Sequence, residues 1–383
     1  MATLLLWPQA GAWLGPLSYG RWATLHLDLL LYGWSALPLV GLLLRGVGAS
    51  ASRPCWAVSA LWLWSGSLLF AATWWLAGHS SGRLFVEWSG PARGVFTANL
   101  VWLWCVLAIS LMDRGRDERR RRPGHRRPGR AVLVTALAPV PWAFWVGTRV
   151  AFQPPINPAS GGPTGAGLLA SSLGLVAVFL LTPLLLELPR IGKLRSIQAI
   201  WAALGVHSAC FLALRGEYSH RDPREVIALA SIAVWLPLVI FAWRSYAWPA
   251  AAGRWLRALF AWGGFLVATA ILPYLWPELL DAWKFTDVLV AHAHLAMAGM
   301  LTAFVAVVVV GLADGTALEH VLAARGSFWT WQCGCALFVA SMALLGTLEA
   351  SQPGLLYRPS AAAAALLWVR WGAGAAMTGA ALS

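Results

Sequence analysis

The stretch DVLVAHAHLAMAGMLTAFVAVVVVGL, residues 287–312, sets one aspartate and two histidines among otherwise apolar or small side chains. As a helix at ~1.5 Å per residue, its 26 residues are long enough to cross a hydrocarbon core of ~30 Å. Apolar segments of comparable length recur along the whole chain. They are predicted at 22–45, 56–77, 96–112, 131–148, 166–187, 196–214, 225–243, 256–276, 287–312, 328–348 and 360–380. The reading is an all-α membrane protein with about eleven transmembrane helices, forming a single transmembrane helical domain over residues 1–383.

Composition excludes a soluble domain of this length. Apolar residues make up 59% of the chain, charged residues 11%, and the mean hydropathy is +0.67. That leaves too little charge to coat a water-facing surface. Many of the tryptophans fall near span ends, where interfacial anchors belong. No early segment has the short apolar core and small-residue cleavage site of a secretory signal, so the first spans are read as mature protein.

The net charge of +13 is concentrated. Nine arginines lie between Arg114 and Arg130, in a short loop between two spans. Such a run between spans reads as a cytoplasmic topology signal, not as a nucleic-acid patch. Alternation then makes Arg45, Arg53, Arg190, Lys193, Arg195, Arg244, Arg254 and Arg257 cytoplasmic, and Glu278 and Asp281 external. Arg215, Arg221 and Arg224 fall outside, partly balanced by Glu217, Asp222 and Glu225. The N-terminus is placed outside, and the membrane is read as a bacterial inner membrane. The five cysteines form no CxxC or CxxCH, so neither zinc nor covalent heme is suggested. Cys333 and Cys335 point to different helix faces and read as packing residues.

Four histidines, His79, His125, His220 and His320, fall in predicted loops. His26, His207, His292 and His294 fall inside spans, where an ionisable side chain is costly. With this topology His26, His292 and His294 share a depth on the order of 10 Å below the outer surface. His292 and His294 are two residues apart, about 200° around the helix, so they cannot grip one metal from the same face. Two hemes, one on each side of the span, suit that spacing; histidines bonded to backbone carbonyls are the structural alternative.

FTDVLVAHAHLAMAGM, from Phe285 to Met300, resembles the tenth helix of the catalytic subunit of heme-copper oxygen reductases. LSYGRWATLHLDLLLYGW, from Leu17 to Trp34, resembles the second helix of that family, nearest its cbb-type branch. Residues 161–190 and 194–218 look like its sixth and seventh helices. The resemblance implies His26 and His294 as axial ligands of a low-spin heme b, and His292 as the ligand of a second heme. The copper ligands have no counterpart: the region of Gly162 to Thr164 lacks a histidine, and Leu212 and Ala213 stand where a His-His pair belongs. No copper is therefore expected. The family's first helix also has no counterpart.

Other polar residues have two readings. Arg21 and Arg358, near the outer surface, are candidate donors to heme propionates or anchors of helix ends. His207 either faces the second heme pocket or is satisfied by its neighbours. Asp28 is a contact for another subunit or a second-shell donor. Tyr32 and Trp34 pack as interface or core aromatics. Pro139, Pro141, Pro155, Pro158 and Pro163 are expected to break helices around 149–165, an external stretch suited to docking a partner.

Three functions follow. One is a heme b-binding electron-transfer subunit of a respiratory complex, with other membrane subunits and a c-type cytochrome on the outer face as partners. The second is an active terminal oxidase or nitric oxide reductase, which retains His292 but lacks the second metal's ligands. The third is a non-catalytic subunit that keeps the fold.

Overall fold

The computed structural model describes residues 6, 10–121, 128–156, 172–214, 222–313, 316, 321, 324–352, 354–355 and 360–382. The described residues are mostly helical, and Arg190 pairs with Tyr246 in an isolated antiparallel bridge. Nine helices among the described residues are long and apolar enough to cross a membrane. They are α1 (Tyr19–Val47), α2 (Pro54–Leu76), α3 (Gly90–Arg116), α4 (Gly129–Gly147), α6 (Leu194–Leu214), α7 (Val226–Trp243), α8 (Ala250–Pro273), α9 (Asp287–Leu312) and α10 (Arg325–Ser351). Between them lies the shorter α5 (Gly174–Leu185), and the Ala/Gly-rich α11 (Ala361–Leu382) closes the series. Every predicted segment is thus helical where it is described, and nine have the stature of spans.

Local sequence explains the helix ends. Pro54 opens α2 at a position where its missing N–H costs nothing. Gly48 ends α1 in the left-handed region, φ 84°, open to glycine without steric penalty. Asp222 caps the helix that leads into α7 by accepting the Arg224 N–H. The bonds from Arg224 hold that carboxyl below the usual carboxylate range. Two of the prolines act earlier than expected, and Pro155 lies in the non-helical stretch after α4, as expected. Pro139 and Pro141 lie inside α4, which is helical over Pro128–Leu137 and again over Val140–Gly147, with a turn between. Pro158 and Pro163 lie outside the described residues.

The chain forms two compact units. The N-terminal unit comprises Pro16–Ser171 and Leu181–Leu188, and the C-terminal unit holds the rest. In lipid, helices gain little from burying apolar surface, so close packing and interhelical hydrogen bonds carry the association. The N-terminal unit packs through aromatics: Trp88 stacks on Phe96 at 4.1 Å, and Tyr32 meets both rings edge-on at 5.0 and 5.5 Å. At one end of the unit Arg53 pairs with Asp113 at 2.6 Å, and Arg114 and Arg130 both reach the Glu187 carboxylate.

In the C-terminal unit α9 is the central helix. Of its most apolar window 72% is buried, against 11–33% for the other eight spans. Small residues let its neighbours approach. A Cβ on Gly299 would lie 2.8 Å from the Trp262 ring of α8, and one on Gly346 of α10 would lie 2.1 Å from the Val288 nitrogen.

Candidate functional site

The central helix α9 starts from a strained corner. Phe285 has φ 66°, Thr286 caps the helix by accepting the Val288 N–H, and Glu349 of α10 accepts the Asp287 N–H at 2.7 Å. The helix is therefore fixed at its first turn, two turns before the histidine pair. His292 faces α8, where its Nδ1 lies 2.9 Å from Thr269 Oγ1. The Thr269 hydroxyl has the Phe265 carbonyl at 3.0 Å for its single proton. With the proton placed there, the hydroxyl oxygen accepts from Nδ1–H, and the lone pair of the His292 ring sits on Nε2. His294 faces α10, with its ring 5.0 Å from Phe338. Its Nδ1–H donates to the Val290 carbonyl at 2.8 Å, which again places the lone pair on Nε2.

The two histidines of α9 thus each hold Nδ1 against an oxygen and face different neighbours. A metal-bound histidine ordinarily donates its other N–H to a carbonyl or similar acceptor, and both rings are held that way. His26 lies in the N-terminal unit on α1, exposed at the helix surface. Arg358 lies outside the described residues. Arg21 donates from Nη1 to the Leu76 carbonyl at 2.7 Å, so it anchors the end of α2 through one arm of its guanidinium.

A feature without a sequence signature marks both histidine helices. Immediately after His294, residues Leu295–Leu301 form a wide π-helical segment before α geometry resumes. Three residues after His26, Leu29–Ser35 do the same. In each case a buried hydroxyl just where the segment ends donates to a carbonyl five residues back: Ser35 to Leu30 and Thr302 to Met297, both at 2.9 Å. Wide turns of this kind often occur at functional sites.

Beyond Phe338 lies a buried charge cluster. Arg370 of α11 sits over the Phe338 ring at 5.4 Å and pairs with Asp287 at 3.3 Å. His207 is held differently. Its Nε2 lies 2.8 Å from Ser231 Oγ, its Nδ1 accepts from Trp235 Nε1 at 2.7 Å, and both nitrogens are used between α6 and α7. The two partners are side chains of the same chain. Cys335 is buried and Cys333 exposed, so the pair does occupy different faces of α10.

The densest polar site was missed by sequence reasoning. It is built from the loop between α2 and α3. Arg83 and Glu87 have fully buried side chains. The Glu87 carboxylate accepts from the N–H groups of Ser81 and Arg83 at 2.6 and 2.8 Å. Arg83 donates to Ser81 Oγ and to the carbonyls of Thr148 and Trp88. Tyr32 donates to the Phe85 carbonyl at 3.0 Å. Asp28 turns inward to this loop, where Oδ1 lies 3.4 Å from the Glu87 nitrogen. It contacts its own chain. The sequence carries one hint, two opposite charges four residues apart in a loop, and nothing in that spacing foretells burial.

Among the described residues no three His, Cys, Asp or Glu side chains gather into a group suited to a metal ion. A heme needs only one or two axial donors, so the histidines are judged by their own geometry. His292 and His294 each hold Nδ1 against an oxygen, an arrangement that fits a group bound at Nε2. The chain matches no protein-family model and no curated protein sequence.

Proposed function

We propose that this protein is a heme b-binding electron-transfer subunit of a respiratory complex in a bacterial inner membrane, crossing it about eleven times with its N-terminus outside. It would be a divergent relative of the heme-copper oxygen reductase subunit that its two histidine helices resemble. The observation that carries this reading is the α9 pair: two histidines, each with Nδ1 within 2.8–2.9 Å of an oxygen, facing different helices. On this reading His294 and His26 would hold the low-spin heme, and His292 would hold a second one.

A bis-histidine heme takes up and releases one electron and offers no open position to a gas. The chain's own residues do the rest. The Val290 carbonyl and Thr269 hydroxyl fix the ring orientations, and the Thr286 cap with Glu349 fixes the start of the helix that carries them. Arg21 keeps donors beyond the one given to Leu76, and these suit a propionate. Arg358 is proposed for the same role. Other membrane subunits and a c-type cytochrome at the outer face are the proposed partners.

The test is a reduced-minus-oxidised spectrum of the purified protein, with heme extraction and metal analysis. A six-coordinate b-type spectrum that disappears in His26→Ala and in His294→Ala is expected. Purified protein that lacks heme after expression with ample heme supply would sink the reading. Copper or non-heme iron with gas turnover would replace it by the active-reductase reading.

A further inference from the structure

The proline break in α4 leaves a cavity of about 220 Å³ in the N-terminal unit, between α1, α2, α3 and α4. Its wall includes Leu39, Trp64, Leu103 and Trp104, with Leu137 and Val140 on either side of the break. The lining is nearly all carbon. Both tryptophans present only their rings, because Trp64 Nε1 donates to the Tyr32 carbonyl at 2.8 Å and Trp104 Nε1 to the Val134 carbonyl at 3.0 Å. A cavity of this kind offers water no partners and takes an apolar occupant.

One end of the same helices is basic. Residues 113–130 carry nine arginines against the carboxylates of Asp113, Asp117 and Glu118. Arg116 keeps 72% of its side chain exposed. Along the helices, Leu107 of the cavity wall lies nine residues from Arg116, and Leu137 lies seven from Arg130. Those spacings are about 14 and 10 Å, within the ~15 Å depth of one leaflet. An excess of guanidinium at headgroup level recognises an anionic lipid.

We infer that this cavity is a binding site for one acyl chain of an anionic phospholipid whose headgroup lies at Arg116, on the basic end of these helices. The site does not depend on heme. Its wall includes Trp64, whose ring nitrogen is bonded to the π-helical segment of α1, so the bound chain packs against the support of that segment.

The test is titration of the full-length protein in detergent with phosphatidylglycerol carrying brominated acyl chains, read as quenching of tryptophan emission. The chain has 26 tryptophans, so the signal is assigned by difference against Trp64→Phe/Trp104→Phe. The expected result is quenching that saturates near one lipid per protein, is reduced by Trp104→Phe and is lost with Trp64→Phe/Trp104→Phe. It should weaken several-fold in Arg116→Gln and with brominated phosphatidylcholine. Filling the cavity with Val140→Phe, or with Leu39→Phe if the first variant does not fold, should abolish the saturable phase. Quenching that never saturates, or that persists unchanged in the folded filling variant, overturns the site. Equal response to both lipids overturns the headgroup assignment.

Discussion

A histidine inside an apolar helix has two ring nitrogens to satisfy, and how it does so separates the candidates. His207 uses both on Ser231 and Trp235. Trp235→Phe should therefore lower stability by about 1 kcal/mol, the worth of a typical hydrogen bond. The reading is the thermal midpoint in detergent, and no change would remove the structural role assigned to His207. At Arg83 the stake is larger. Breaking a buried ion pair from one side leaves a stranded charge and costs about 3–5 kcal/mol. Arg83→Met is expected to reduce the folded yield sharply, and Arg83→Met/Glu87→Gln to recover part of it. Equal yields for the single and double variants would show that the pair is not coupled. Residues of this kind divide by legibility. His292 and His294 stand out because any ionisable group in an apolar run does. Arg83 and Glu87 do not, because their burial depends on Thr148 and Asp28, both more than fifty residues away in the sequence.

At the scale of elements, hydrophobic length located the helices, and packing detail was out of its reach. The break in α4 was half visible: the prolines were read as breakers, but their effect was assigned to the following loop. The π-helical segments were not visible, since LLLYGWS and LAMAGML have no period that distinguishes them from α-helix. Packing at the start of α9 gives a direct prediction. Gly346→Ala places a methyl group 2.1 Å from the Val288 backbone nitrogen, and backbone cannot step aside as a flexible side chain does. A destabilisation of about 1–3 kcal/mol is expected, as for other overpacked sites. Gly372→Ala on α11, where a Cβ would meet nothing within 4 Å, is the neutral control. Equal melting of the two variants would mean that α9 and α10 are not locked together there.

Over the whole molecule, contacts join segments that the alternating topology sets on one side. Arg190 bridges to Tyr246, both in loops assigned to one side, and the Asp287 N–H at the start of α9 donates to Glu349 near the end of α10, helix ends assigned to the other. Within the N-terminal unit Arg53 meets Asp113 in the same way. The absolute direction rests on the arginine loop alone. It predicts that a thiol introduced as Arg116→Cys reacts with a membrane-impermeant maleimide only in inside-out vesicles. His79→Cys should react only in right-side-out ones, in a background without native cysteines. The reverse pattern would invert the protein and every placement that depends on it.

The two π-helical segments have a consequence for the chain's tolerance of change. A turn closed by a bond five residues back holds one residue more than an α turn, so each segment behaves as an accommodated insertion. Deleting one residue from Leu29–Ser35 would let the helix relax into regular geometry without breaking the span. Because the wide turn has already absorbed the surplus residue, Val40 and Leu44 would stay in the core. The same deletion in a regular stretch of α1 would turn everything beyond it by about 100°.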